Sequence, residues 1–530
     1  MSEPAYDVAI VGYGPAGAVA AGLLGQQGLG VYVCDRLPDV FQIPRAIALD
    51  HEIMRVFQQL GVADAVQPFC EPFTPSEYFG VDGQLIRRMT MVDPPYPQGH
   101  TPSMVFTQPP VERALRARVA QMRNVVVDLG VELRRIAQDA EGVTLHIEQA
   151  DGGSKLVRAK YALACDGGSS TVRTHLEMPL EDLGFDEPWL VVDVLVNAQG
   201  LAKLPRVSVQ YCEPDRPCTL VIGPKNHRRW EISLKAGEDP KEVAQADATW
   251  KLLSRWLTPA DGQLWRQASY RFHALVASQW REGRVFLAGD AAHMQPPFLG
   301  QGMCQGIRDV ANLSWKLGAV LRGEVGGAAG ENLLDSYGTE RKLHVTELTS
   351  RIKGVGAVIC ERDPDRARAR DAKLLADSGG VVKDTPRQDI LPRLQDGLLS
   401  ATPHDARGTL FPQPWVQVGG LRQLLDGATG NGWRLVLATG MPAASALRPM
   451  SGLCVVPLRD LAEADGVAAA WFERYGCSAA LVRPDNYVYG VATDVAEAVA
   501  LLDEVARALG RVGAAASSVP TLGACAVAGP

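Results

Sequence analysis

The stretch GRVFLAGDAAHMQPPFLGQG, Gly283 to Gly302, lies in the middle of the 530-residue chain and decides how the rest is read. A short β-rich run, Arg284 to Ala288, meets Gly289-Asp290. A loop with adjacent prolines, Pro296 and Pro297, follows, and the glycines Gly300 and Gly302 hand the chain to a helical pattern. Apolar residues recur at Met303, Ile307, Val310, Leu313, Leu317 and Val320, the spacing of one helix face, which puts Gly300 to Gly302 at a helix N-terminus. Glycines let a backbone approach a ligand closely, and free N–H groups at a helix start favour negative charge. Asp290 can accept hydrogen bonds from a ribityl or ribose hydroxyl. Such a layout suits a large anionic cofactor.

Working outward, the start of the chain carries a second nucleotide-type motif. Tyr6 to Val11 is an apolar β-rich run, followed by Gly12-Tyr13-Gly14-Pro15-Ala16-Gly17, a small-residue helical stretch, and a second strand from Val31 to Cys34 that ends in Asp35 and Arg36. One glycine serves the tight turn, one the close approach to a pyrophosphate and one the packing of helix on strand, with an acid about 20 residues on for a ribose hydroxyl. Strand, helix and acid are all present, so the motif reads as dinucleotide binding. Between the two motifs Ala162 to Cys165 runs into Asp166-Gly167-Gly168-Ser169-Ser170, again a strand into an Asp-Gly turn and a helix start. Phe41 to Arg45 reads as a loop that lets Arg45 reach a phosphate or ring edge, Leu49 to Leu60 as a helix, and Thr107-Gln108-Pro109 as the opening of another.

From Trp189 to about Ala277 the runs Leu190 to Val196, Arg206 to Tyr211, Thr219 to Ile222 and Trp230 to Leu234 predict a mostly antiparallel sheet with one face over a cavity. Its aromatic and basic positions, Tyr211, Arg216, His227, Arg228, Arg229, Trp230, Tyr270 and His273, are candidates for binding a phenol with an acidic tail. Beyond Glu361 the composition loosens to about Pro414. Strands at Trp433 to Leu437, Leu453 to Val456, Ala479 to Arg483 and Tyr487 to Gly490, with helices at Asp460 to Tyr475 and Val495 to Leu509, then fit a thioredoxin-like unit without CxxC. The expected fold is α/β: a Rossmann-like cofactor domain (1–180 and 281–360) interleaved with the β substrate domain (181–280), a linker with helices (361–414) and the C-terminal unit (415–530), whose tail from Val512 reads as mobile.

Fifty-three basic against 60 acidic residues, dispersed along the chain, give a net charge of −7 and no case for nucleic acid or an anionic membrane. Ten cysteines without a CxxC pair argue against a zinc site, any other metal centre or a redox dithiol, and suit a reducing compartment. Neither a signal core nor an apolar run of spanning length is present, so a cytoplasmic location is expected. The oligomeric state stays open.

The three ordered motifs GYGPAG, ACDGGSSTVR and GDAAHMQPPFLGQG resemble the single-component FAD-dependent aromatic hydroxylases of the para-hydroxybenzoate hydroxylase type. The segments PRAIALDHEIMRVFQQLG, EPFTPSEYFGVDGQLIRRMTMV, FTQPPVERALR, EDLGFDEPWLVVDVLV and GQGMCQGIRDVANLSWKL are similar to the 3-(3-hydroxyphenyl)propionate hydroxylase subgroup. The resemblance implies FAD held by Gly12, Gly14, Pro15, Ala16 and Gly17 at the pyrophosphate and by Asp35 and Arg36 at the adenosine ribose. Arg45 and Gln108 match positions at the phosphate and ribityl chain, and Asp166 and Gly167 match a motif serving FAD and the transient NADH or NADPH. Gly289 and Asp290 match the ribityl contact, Pro297 lies by the isoalloxazine, and Gly300, Gln301, Gly302 and Met303 face its pyrimidine edge. Cys304 stands where many relatives outside this subgroup carry asparagine, and Asp35 replaces a commoner glutamate.

The implied activity is hydroxylation of a small phenol, 3-(3-hydroxyphenyl)propionate or 3-hydroxycinnamate, to the 2,3-dihydroxy product with NAD(P)H and O2 through a C4a-hydroperoxyflavin. Tyr211, Tyr270 and His273 are the candidates for a substrate base. Alternatives are the same chemistry on another phenol or an aromatic polyketide, and a flavoprotein-like scaffold without turnover. A halogenase lacks support because WxWxIP is absent, and a Baeyer-Villiger enzyme because no second GxGxxG is found.

Overall fold

The computed structural model describes residues 5–442, 447 and 452–511; the tail expected from Val512, with Cys525 in it, lies outside them. The β-branched runs Tyr6–Val11 and Val31–Asp35 pair in parallel, with Val125–Leu129 beyond the second and Ser154–Ala164 and Val285–Leu287 on the other side of the first. The three motifs therefore leave the carboxyl ends of three neighbouring parallel strands, where ligands of doubly wound sheets collect. Every residue of the helix Pro15–Gln26 from Gly17 to Gly25 is buried, because it packs against both Gln108–Val119 and Gly302–Leu321. Small side chains make that double contact close.

A nine-stranded sheet forms the second layer of the fold. Its spine is the antiparallel pair Leu180–Val196 and Gly262–Ala277, longer than the sequence pattern predicts because the pairing runs through irregularities at Asp182/Asp186 and Asp193/Val194. His227–Ser233, Cys218–Ile222 and Ser208–Tyr211 follow in antiparallel order. Ser76–Phe79, Leu85–Thr90 and Asp384–Pro386 then extend the sheet with segments from outside the predicted block. Trp230, Ile232, Leu220 and Ile222 point to one face and pack with Leu253 and Leu257. The opposite face carries polar side chains toward the cofactor layer.

Two predicted helices are shorter than expected. Residues Ala48–Asp50 are a strand, and the helix is His51–Gln59, capped by the Asp50 carboxylate, which accepts from the N–H groups of Glu52 and Ile53. Near the C-terminus the helix is Val467–Tyr475 alone. Gly466 is left-handed at φ 70°, which stops the helix from extending backwards, and Glu463 takes up the Ala468 N–H at 2.6 Å.

The C-terminal unit has a four-stranded sheet, Leu453–Pro457, Trp433–Leu437, Ala479–Val482 and Val488–Ala492 in spatial order. It is bonded to the rest by buried charges. Glu340, on the helix Gly327–Ile359, accepts from Lys316 at 2.8 Å, Asn312 at 2.7 Å and Arg483 at 2.7 and 3.0 Å. Burial alone would raise its carboxyl, but Arg483 and Lys316 hold it down at about 2. A depressed carboxyl stabilises the fold above the usual glutamate range and loses that contribution as pH falls toward 2. Replacing Glu340 by Ala leaves Lys316 without its carboxylate in the interior, and the expected cost is about 3–5 kcal/mol. Urea unfolding at pH 7 measures it, and the gap from wild type should narrow as the pH is lowered toward 3.

Candidate active site

A cavity of about 440 Å³ opens where the polar face of the nine-stranded sheet meets the ends of the parallel strands. Gly14, Pro15, Ala16 and Gly167 line it from the first two motifs, and Gly289, Asp290, Pro297, Gly300, Gly302 and Met303 from the third. Arg45 and Gln108 line its edge. Gln108 Oε1 accepts from the backbone N–H groups of Arg45 and Ala46, both at 2.8 Å, so this side chain shapes the loop rather than only facing the cavity.

The remaining candidates do not line the cavity. Gly12 has φ +96°, and a Cβ there would sit 2.3 Å from the carbonyl oxygen of Cys165; one on Gly17 would sit 2.0 Å from that of Gly12. These two glycines let strand, turn and helix close on one another. At Gly14, by contrast, a Cβ meets nothing within 4 Å, because the position faces the cavity. Asp35 takes the Tyr13 N–H at 2.6 Å and the Leu37 N–H at 2.7 Å, and Arg36 beside it is exposed. Asp166 accepts from the Val172 N–H at 3.1 Å, and burial raises its carboxyl above the usual range. Gln301 is turned inward, where its Oε1 accepts from Arg308 at 2.9 Å.

Asp290 opens onto the cavity, yet it sits deep enough that loss of bulk solvation raises its carboxyl. The loop that carries it is fixed from below. Asp309, fully buried on the helix Gly302–Leu321, accepts from the Gly289 N–H at 2.9 Å, His293 Nε2 at 2.8 Å and Arg341 Nε at 2.9 Å.

Of the three proposed substrate bases, Tyr270 and His273 lie on the cavity wall and Tyr211 does not. Tyr211 points to the opposite face of the sheet, where its hydroxyl accepts from Trp256 Nε1 at 3.0 Å and Arg255 stacks on its ring. Strand parity is the reason: Gln210 takes the inward position. Trp230 likewise belongs to the core, whereas Arg229 lines the cavity and is bound to Asp193 at 2.7 Å. His227 shares that carboxylate at 2.7 Å, and Arg216 is paired with Glu238. Arg228 donates to the backbone carbonyls of Gly223, Lys225 and His227.

Sequence reasoning missed Gln210, Thr219, Glu231, Gln295 and Arg387 on the wall. The alternation around Trp230 signalled Glu231; nothing in the loosely composed segment after Glu361 signalled Arg387.

The wall fits a flavin. Both amide atoms of Gln295 are buried without a hydrogen-bonding partner, the helix start at Gly302 has no side-chain cap, and the Gly14 position is open. A family model described as FAD binding domain matches residues 5–352. The chain belongs to the FAD-dependent aromatic hydroxylases. A second model, the HcaD C-terminal domain, matches residues 408–508 of the hydroxylase.

The chain is 36% identical to a probable NADH-specific resorcinol 4-hydroxylase of Rhodococcus jostii (strain RHA1), over 96% of both chains. It is 32% identical to a 3-(3-hydroxy-phenyl)propionate/3-hydroxycinnamic acid hydroxylase of Burkholderia cenocepacia (strain HI2424), over 91% of this chain and 93% of that one. Among solved structures, aklavinone-11 hydroxylase in ternary complex with FAD and aklavinone superposes with a TM-score of 0.79 at 24% identity, over 96% of this chain and all of that one. No described helix of the hydroxylase is long and apolar enough to cross a membrane.

The glycine geometry separates folding from cofactor binding. Gly14→Ala should leave the thermal midpoint of the FAD-free protein within about 1 °C of wild type while weakening FAD at least tenfold, whereas Gly12→Ala should lower that midpoint by several degrees, since its backbone strain and clash act on the fold itself. Calorimetry and FAD fluorescence titration read the two effects separately.

Proposed function

We propose that the hydroxylase acts on a small phenol carrying a polar group meta to the hydroxyl, and that 3-(3-hydroxyphenyl)propionate or 3-hydroxycinnamate is the preferred class. The observation that carries this is Arg387. It lines the cavity and is 8% exposed, with its guanidinium over the ring of Phe73 at 4.4 Å. It donates to the Leu299 carbonyl but forms no ion pair with a carboxylate among the described residues. Burial lowers its pKa, the mark of a cation short of an anion. A substrate carboxylate would supply one.

Resorcinol is the second reading, favoured by the 36% identity to a relative of that name. The same relative supports NADH over NADPH as reductant.

Bound FAD supplies the redox chemistry: reduction by the nicotinamide and activation of O2 for transfer to the ring. The protein's share is positional and electrostatic. Bound there, FAD would be held by these lining residues: the uncapped helix start at Gly302 would favour negative charge on the flavin, Asp290 would accept from ribityl hydroxyls, and Pro297 would border the ring. Phe73, Phe272 and Phe298 line the wall, and their apolar rings would keep water from the reacting atoms. Between the cofactor segments (1–180 and 281–360) lies the substrate sheet (181–280), completed by Ser76–Phe79 and Leu85–Thr90 of the first segment and Asp384–Pro386 of the linker (361–414). The C-terminal unit is read as thioredoxin-like: its strand order, one parallel pair followed by two antiparallel ones, supports this, and without CxxC its part is structural.

Steady-state turnover with NADH and O2, with product identified by mass, tests the assignment. Arg387→Met should lower kcat/KM for 3-(3-hydroxyphenyl)propionate about 100-fold and leave resorcinol within about threefold. Equal losses on both substrates, with flavin retained, would count against a carboxylate partner at Arg387.

A further inference from the structure

We propose that Glu231 is the base that takes the proton of the substrate's phenolic hydroxyl, with Gln210 and Thr219 placing that hydroxyl beside it. The inference rests on the reading that a phenol is hydroxylated. It concerns how the protein activates the ring, a step that no cofactor motif explains.

Three side chains form one row across the polar face of the nine-stranded sheet. Gln210 pairs with Thr219, and Thr219 with Glu231, as direct cross-strand neighbours, and all three line the cavity. Their exposures are 4%, 2% and 5%. Thr219 donates its hydroxyl proton to Gln210 Oε1 at 2.5 Å, which turns the Gln210 amide nitrogen outward. Among the described residues that N–H group has no partner, and neither does the Glu231 carboxylate. A buried acceptor and a buried donor flanking Thr219 on a cavity wall match one hydroxyl held between them, which gives a hydrogen bond to the first and takes one from the second.

The surroundings leave Glu231 reactive rather than neutralised. Arg229, two residues along its strand, is committed to Asp193 at 2.7 Å, and Arg266 on the next long strand approaches the same carboxylate at 3.6 Å. From the rest of the wall Arg45, Tyr270, Arg271, His273, Asp290 and Arg387 face the cavity. Burial raises the Glu231 carboxyl to about 7, only partly opposed by Arg229, so near neutral pH it exists in both forms, as a base that must return its proton should. The earlier candidates are less suited. Tyr270 is 40% exposed and accepts from Arg266 at 2.5 Å, and His273 lies 3.5 Å from Asp186 with its side chain 36% exposed.

The substrate O–H bond breaks, its proton passes to the Glu231 carboxylate, and the electron pair left on oxygen raises electron density at the ring carbons ortho and para to it. The new C–O bond forms at one of these as the O–O bond of O2 breaks, and the second oxygen atom leaves as water with the two electrons that NADH would supply through bound FAD and protons from solvent. The resulting dienone loses the proton of that carbon to solvent and regains one from Glu231 at its carbonyl oxygen, which restores the aromatic ring and the base.

The test uses FAD-loaded protein, with 3-(3-hydroxyphenyl)propionate and resorcinol as probes. In wild type, kcat for hydroxylation should fall below pH 7 with a slope of one, because the base must be ionised. Glu231→Gln should lower kcat by about 10²–10⁴ and remove that limb, while FAD content and the Kd of the phenol, titrated on the oxidised enzyme without reductant, change less than about fivefold. Glu231→Asp should restore part of the rate and the limb. A Gln variant with wild-type kcat and pH profile overturns the proposal and leaves the hydroxylase reading intact, as does a loss confined to Kd. If the Gln variant fails to hold FAD, the wild-type profile decides, and the absence of a limb near pH 7 overturns the proposal. A wild type that binds FAD but hydroxylates neither phenol overturns the substrate reading and this inference together.

Discussion

The carboxylate of Asp309 is the point on which the cofactor side of the molecule depends. It is fully buried, and a lone carboxylate there would cost several kcal/mol in lost hydration. Three donors offset that cost, and each belongs to a different element: the turn at Gly289, the strand residue His293 and Arg341 of the long helix Gly327–Ile359. The carboxylate is held below its usual range despite burial, by His293 and Arg341. The consequence reaches the cavity, because Gly289, Asp290 and the proline loop are one continuous segment ending at the helix that carries Asp309. Anchoring both ends of that segment to one buried charge fixes where Pro297 and the Gly302 N-terminus stand relative to the first strand.

A similar device ties the substrate sheet to the cofactor layer. Asp193 collects His227, Arg229 and Arg266, and the two arginines in turn donate to the carbonyls of Pro44 and Arg45 in the loop at the cavity edge. Burial would raise the Asp193 carboxyl, but Arg229 and His227 hold it at about 2. The C-terminal unit repeats the pattern. Arg55 joins Asp426, Arg483 joins Glu340, and Tyr487 donates to Glu52 at 2.9 Å. Glu52 is also paired with Arg308, one residue from Asp309. The terminal unit is therefore continuous, through charged groups, with the helix beneath the proline loop, which gives a domain without a dithiol a structural part in the site.

Legibility in the sequence followed the physics of each segment. The turns at Gly12, Asp166 and Gly289 were readable because tight backbone geometry demands particular residues at fixed spacing. Strands such as Val31–Asp35 and Trp433–Leu437, buried on both faces, showed as short apolar runs. The long strand Gly262–Ala277 was not, since much of it is half-exposed and polar. Asp384–Pro386 joins the sheet only through partners almost 300 residues away in sequence, which no local pattern carries. Tyr211 illustrates the limit at the site: an aromatic residue looks like a substrate contact until the pairing register assigns it to the other face.

That register has chemical content. A strand slipped by one residue exchanges its faces completely, so a shift of His227–Ser233 would replace Glu231 in the cavity by Trp230 or Ile232, and a shift of Ser208–Tyr211 would replace Gln210 by Val209 or Tyr211. The apolar set on the far face makes such slips costly, since Trp230 and Ile232 would leave a packed core and Glu231 would enter it. The same alternation that buries the hydrophobic face thus guarantees that the polar row meets the substrate side. A polar row facing the cavity gains nothing for folding: Glu231 is desolvated, with no hydrogen-bonding partner among the described residues. Its place on the cavity wall is what a site built to receive a hydroxyl would require, because a bound substrate would complete the hydrogen bonds that the fold leaves open there.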